Sequence, residues 1–264
     1  MVESKQQWKA WLYLSPAIVL LLVFTVWPII NTVRMAFLED YSGLEAIGGK
    51  VFQFGIGNFT KVIKYKRFLM CLKNTVLICV PTVLISSFLA LLIAVCLNSI
   101  KPLQRVLQTI FFLPYVTNSI AIGMVFAAMF NIVGNLGTKG NDIIVTAGII
   151  NNIIEFFGGN AVNWINAGST YAANMTVMII YIVWNALPFK ILILLGGLQS
   201  INKQYYDAAR VDGTPRTRIF TRITVPLLSP MIAYVVITGF IGGFKEYTSI
   251  VGIFGDTMGP VHDS

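Results

Sequence analysis

Tyr205-Tyr206-Asp207-Ala208-Ala209-Arg210-Val211-Asp212-Gly213-Thr214, closing on Ile223-Thr224-Val225-Pro226, is a polar interval between two long apolar runs. Leu198, Ile201, Tyr205, Ala208 and Ala209 recur at roughly helical spacing, which predicts a short helix ending near Arg210. Gly213 can take a positive φ without a Cβ penalty, so the chain can turn there before a second helix begins. The adjacent alanines leave a surface that a partner can approach closely. Arg216, Arg218 and Arg222 follow, able to pair with acidic side chains or with phosphates at a membrane face. On charge alone the stretch also reads as a basic amphipathic loop lying on a membrane surface.

Outward from this interval the chain is apolar enough for lipid. Spanning about 30 Å of hydrocarbon takes roughly 20 apolar residues, and five segments qualify: about residues 11–33, 74–97, 106–132, 172–195 and 226–253. The fold class read from them is all-α, a polytopic transmembrane helix bundle, with residues 1–264 forming one membrane domain and 196–225 one of its loops. The first segment is too long for a signal-peptide core, and no small-residue cleavage site follows it. Between the third and fourth lies a Gly/Asn-rich stretch, Gly134 to Gly168. Its apolar piece, Ile143 to Phe157, is interrupted by Asn151, Asn152 and Glu155, and reads as a re-entrant or interfacial helix. Pro81, Pro114 and Pro188 lie inside spans, where neighbouring helices or polar groups must satisfy the freed carbonyls. Basic residues divide almost evenly between the two sides, so charge alone does not orient the chain.

Composition agrees: 56% of the 264 residues are hydrophobic and 11% charged, against about 25% charged in soluble domains. The net charge of +8 suits anionic lipid headgroups better than nucleic acid in so apolar a chain. Cys71, Cys79 and Cys96 are odd in number and lack metal-ligand spacing, and His262 is the sole histidine. No metal centre, disulfide framework or acid–base set is indicated. The glycine-rich GNLGTKG at 134–140 lacks the phosphate-loop spacing, and no G-x-S-x-G or H-E-x-x-H occurs. The chain is read as a non-enzyme: it binds no cofactor of its own.

The 207–226 interval resembles the E-A-A-x-x-x-G-x(9)-I-x-L-P signature of binding-protein-dependent ABC importer permeases. Asp207-Ala208-Ala209, Gly213, Ile223 and Pro226 reproduce its spacing, with Asp207 for Glu, Thr214 for Ala and Val225 for Leu. Leu14-Ser15-Pro16-Ala17, Trp27-Pro28-Ile29, Gly55-Ile56-Gly57-Asn58-Phe59, Phe68 to Asn74-Thr75, Phe112-Leu113-Pro114, Trp184-Asn185 and Leu198-Gln199-Ser200-Ile201 resemble the carbohydrate group, which serves maltose, other oligosaccharides and glycerol-3-phosphate. The resemblance implies a type I permease fold and a coupling helix at Asp207, Ala208, Ala209, Arg210, Asp212 and Gly213. It further implies two ATPase subunits holding ATP-Mg, a second and related permease, and an extracellular or periplasmic solute-binding protein. The location implied is the prokaryotic inner membrane, with the N-terminus cytoplasmic. A sixth span soon after a G-G-P-like turn, here Met258-Gly259-Pro260, is implied beyond Ser264, which favours a chain cut short. Import of another solute, such as glycerol-3-phosphate or a polyamine, and a channel or scaffold without energy input remain as alternatives.

Sugars present apolar C–H faces and polar hydroxyl edges, so aromatic rings beside hydrogen-bonding groups suit a sugar pathway. Asn118, Ser119, Tyr181, Trp184 and Asn185 are candidates on that ground, as are Phe244 and Tyr247. Each also fits helix packing or interface anchoring. Lys245 and Glu246 form an acid–base pair read as lying inside the last span, near its outer edge. There they serve either the pathway or snorkelling at the interface.

Overall fold

The computed structural model describes residues 7–100, 104–134, 145–166 and 168–255. Met258-Gly259-Pro260, His262 and most of the 134–140 stretch lie outside them. The described residues are overwhelmingly helical, and the chain divides into two compact units, 1–73 and 74–264.

In the first unit, α1 (Gln7–Leu21) and α2 (Trp27–Ala36) join through a π-helical turn, Leu22–Val26, into one span-length helix. It is apolar all round and buries none of its residues, the pattern of a helix solvated by lipid. Its prolines are accommodated locally. Pro16 cannot bond the Leu12 carbonyl, and the Ser15 hydroxyl donates to it instead at 2.8 Å. Pro28 follows the π turn, where the Trp27 N–H reaches back to the Leu22 carbonyl.

Beyond α2 come α3 (Gly43–Ile47) and α4 (Gly57–Lys64). The Gly55–Phe59 motif fastens this segment. Asn58 Nδ2 donates to the Leu38 carbonyl at 2.8 Å, the Gly57 N–H donates to Glu39 Oε1 at 2.9 Å, and Phe59 packs on Phe37. A Cβ on Gly55 would fall 2.2 Å from the Glu39 carboxylate, which explains the glycine. Asp40 pairs with Lys61, whose ammonium holds the carboxyl below its ordinary range.

In the second unit, α5 (Lys66–Ser99) completes its crossing, and α6 (Gln104–Val116) and α7 (Ser119–Phe130) follow. The sequence read 106–132 as one span; the structure bends it by 98° between Val116 and Ser119. Asn118 is the cause: its backbone is extended at ψ 121°, and its side chain accepts the N–H groups of Ile120 and Ala121. It thereby starts a fresh helix.

A short antiparallel pair, β1 (Ile132–Gly134) and β2 (Val145–Ala147), precedes α8 (Ile149–Phe156). Asn151, one of the polar residues that interrupt the apolar piece, is a buried pin here. It bonds the Val162 N–H and carbonyl and accepts from the Trp164 indole.

α9 (Tyr171–Ser200) is the central helix. Its Ile191, Leu194, Leu195 and Leu198 pack with Ala90, Ala94 and Leu97 of α5. Higher up, Val177, Met178 and Tyr181 pack with Phe130 of α7. After α10 (Lys203–Val211), α11 (Arg216–Ile219) runs through a second π turn, Phe220–Thr224, into α12 (Val225–Gly243). Leu228 and Val235 of α12 join the lower cluster. As at Pro28, this π turn ends two residues before a proline, Pro226.

The last long helix therefore begins at Arg216 and ends at Gly243, whereas the sequence placed it at 226–253. Lys245 and Glu246 lie in the turn beyond, not inside a span. Gly242-Gly243 weakens the helix end, and Glu246 Oε1 accepts the Ser249 N–H at 3.2 Å, helping to start α13 (Thr248–Phe254). α13 crosses α7 closely: a Cβ on Gly123 would meet Gly252 Cα at 2.7 Å. Among the described residues, four helices are long and apolar enough to cross a membrane, or five if the bent pair is one span.

Candidate functional site

The polar interval folds into α10 by local bonds alone. Asn202 caps its start, accepting the Gln204 N–H at 3.0 Å. At its end the Gly213 N–H donates to Arg210 O at 3.0 Å and the Thr214 N–H to Ala209 O at 2.9 Å, with Gly213 at φ +65°. This is a Schellman stop, and it requires the glycine for its backbone angle. Nothing lies within 4 Å of a Cβ built there, so the requirement is conformational rather than steric.

The helix begins at Lys203, so Leu198 and Ile201 belong to the end of α9 and do not share its face, contrary to the spacing argument. Asp207, Ala208, Arg210, Asp212 and Gly213 are exposed, and Arg210 is ion-paired to Asp207 at 3.3 Å. Ala209 is 7% exposed and packs inward, so only one of the two alanines faces out. Val211 is 88% exposed at the tip. Behind the helix, Tyr206 Oη lies 3.3 Å from Thr224 Oγ1, which ties α10 to the π turn that feeds α12. Arg216, Arg218 and Arg222 stand on the first turns of that long helix.

A cavity of 210 Å³ opens among α5, α6, α9 and α12. Its wall is mostly apolar, with Tyr115 stacked on Phe189. Its polar groups come from Thr82, Ser86, Asn185, Lys190, Thr238 and Glu246. Of the pathway candidates, only Asn185 and Glu246 line it. Tyr181 is buried and donates to the Ser119 carbonyl at 2.9 Å, while Trp184 stands beside Phe126. Asn118 caps α7. Phe244, Lys245 and Tyr247 are exposed in the turn after α12.

Lys190 is the residue that the sequence reading missed. It is 4% exposed, and its ammonium donates to Ser86 Oγ at 2.7 Å, Ser87 Oγ at 2.9 Å and Val83 O at 3.3 Å. The signal was available: a lone lysine in the 30-residue apolar helix demands a partner or a cavity. Its partners on α5 lie 103 to 107 residues away.

A bundle of apolar helices, a bent helix pair and an exposed, glycine-stopped helix between two spans define a polytopic membrane protein. Residues 75–261 match the family described as binding-protein-dependent transport system inner membrane component, and the chain belongs to that family. It is a permease subunit of a binding-protein-dependent importer, a multi-pass inner-membrane protein. It is 30% identical to the lactose transport system permease LacF of Rhizobium radiobacter, covering 96% of this chain and 78% of that one. With the arabinooligosaccharide permease AraP of Bacillus subtilis it shares 29% identity over 90% of this chain and 69% of that one. Its fold matches a chain of a bacterial ABC transporter for alginate with a TM-score of 0.76. That match has 22% identity and covers 96% of this chain and 80% of that chain.

Proposed function

We propose that this chain carries a sugar or oligosaccharide across the prokaryotic cell membrane as one of two permease subunits, the other a related but different chain. A solute-binding protein delivers the sugar outside. Two ATPase subunits inside hydrolyse ATP-Mg, and α10 conveys their motion to the spans. The observation that carries this reading is α10 itself: it is held rigid by its own caps, exposed along Asp207, Ala208, Arg210, Asp212 and Gly213, and tied from behind to α12 by Tyr206 and Thr224.

A cytoplasmic α10 would set Arg216, Arg218 and Arg222 against the inner headgroups, and that basic cluster supports the cytoplasmic side for it. Relatives named for lactose and arabinooligosaccharides support a sugar as cargo. The cavity supports it too, with an aromatic wall beside amide, hydroxyl and charged groups. At 210 Å³ it lies below the roughly 300–1,000 Å³ of drug-sized sites, so it holds one ring-sized unit at a time.

The test is uptake by membrane vesicles that carry the chain with its native partners and binding protein. Sugar accumulation that stops when internal ATP is removed supports the importer. Flux that is indifferent to ATP would leave a channel.

A further inference from the structure

Lys190 is held in a way that its structural task does not explain. Its three hydrogen bonds go to neutral oxygens, two hydroxyls and one carbonyl, all on α5. The ion pairs among the described residues are Lys50–Glu45, Lys61–Asp40 and Arg210–Asp207, and none involves Lys190. A neutral donor could tie α9 to α5 without burying a full charge. Ser86 would lose little, since its hydroxyl already donates to the Thr82 carbonyl. The positive charge is an uncompensated cost in a low-dielectric setting, and Lys190 lines the cavity through which a counter-charge can arrive. Glu246 lines the same cavity but forms no ion pair with Lys190. Its carboxylate is held at the start of α13 by the Ser249 N–H.

We propose that this cavity selects an anionic saccharide, a sugar bearing a carboxylate or comparable acidic group, bound with its charge toward Lys190 and its hydroxyls toward Glu246. The proposal rests on reading the cavity as the sugar site. Opposite charges at separate places in one pocket give the solute a direction. The ammonium attracts the acid group across a medium that screens weakly, and the carboxylate, which only accepts hydrogen bonds, takes hydroxyl donors and repels a second acid. Gly239 keeps this approach open, since a Cβ there would stand 3.1 Å from Lys190 Nζ.

The experiment measures uptake of radiolabelled glucuronosyl-glucose, a disaccharide with one carboxylate, and of maltose, side by side, in vesicles holding the complete transporter and its binding protein. The three N–H donors of Lys190 are engaged on α5, so its pull on the acid group acts through space. Wild-type vesicles should take up glucuronosyl-glucose in preference to maltose by about tenfold. Lys190→Met and Lys190→Gln should each collapse that ratio toward one. The glutamine variant keeps a hydrogen-bond donor without the charge, so a ratio that survives in it would reduce Lys190 to a helix clamp and overturn the proposal. Wild-type vesicles that favour maltose would overturn it as well, even if neither variant inserts, while leaving the sugar importer intact. Uptake of neither sugar, with ATP-dependent uptake of a neutral sugar such as lactose in the same vesicles, would overturn the proposal and leave the sugar importer intact.

Discussion

The α10 segment and the cavity are built in opposite ways. α10 is specified within a dozen residues: Asn202 starts it, Gly213 stops it, and every bond in its caps is local. The cavity has no local rule. Lys190 reaches Ser86 across 104 positions, and away from the cavity Gly123 likewise fits Gly252 only because two helices cross there. A segment that must present one fixed shape to a partner benefits from carrying its own geometry. A cavity that must change shape during transport benefits from contacts shared among helices that can move against one another. The difference predicts that damage to α10 uncouples transport without loosening the bundle, whereas damage at a helix crossing loosens the bundle first.

The largest expected effect is at Gly213. A β-branched residue held at φ +65° costs about 1–2 kcal/mol or more, enough to unmake the Schellman stop. Gly213→Val should cut uptake at least tenfold with normal membrane abundance, while Gly213→Asn, which tolerates that backbone angle, keeps most of it. Next comes Gly123→Val, whose side chain meets Gly252 backbone; overpacking of this kind costs about 1–3 kcal/mol. Its melting temperature in detergent should fall clearly, and that of Gly213→Val should barely move. Equal falls in the two would break the comparison. Asn202→Ala removes a cap worth about 1 kcal/mol, and uptake should drop several-fold with little change in melting. Smallest is Tyr206→Phe, which forfeits one hydroxyl contact worth roughly 0.5–1.5 kcal/mol. A two- to threefold fall in sugar-stimulated ATP hydrolysis would place that contact in the coupling path.

The same division explains what could be read from sequence. Apolar runs long enough for lipid announce spans directly, and the turn at Gly213 follows from glycine chemistry. The Gly55–Phe59 motif was visible as a pattern, and the structure supplies its cause in Asn58, Glu39 and Phe37. What escaped depends on neighbours. The 98° bend sits inside an unbroken apolar stretch and hinges on whether Asn118 caps a helix or packs within one. Lys245 and Glu246 looked intramembrane because their flanks are apolar, yet a Gly-Gly end and a side-chain cap put them in a turn. Lys190 was legible as an anomaly, but its partners were not, since nothing in the sequence brings Ser86 and Ser87 to it.

The central claim is that α10 is the surface on which an ATPase acts. A photo-crosslinking amino acid at Val211, the 88% exposed tip, tests it in native membranes of the source cell. The account predicts a single dominant adduct with a protein that carries a phosphate-loop sequence, lost when Gly213→Val is introduced. Adducts with lipid alone, from a chain that is inserted and transporting, would contradict it.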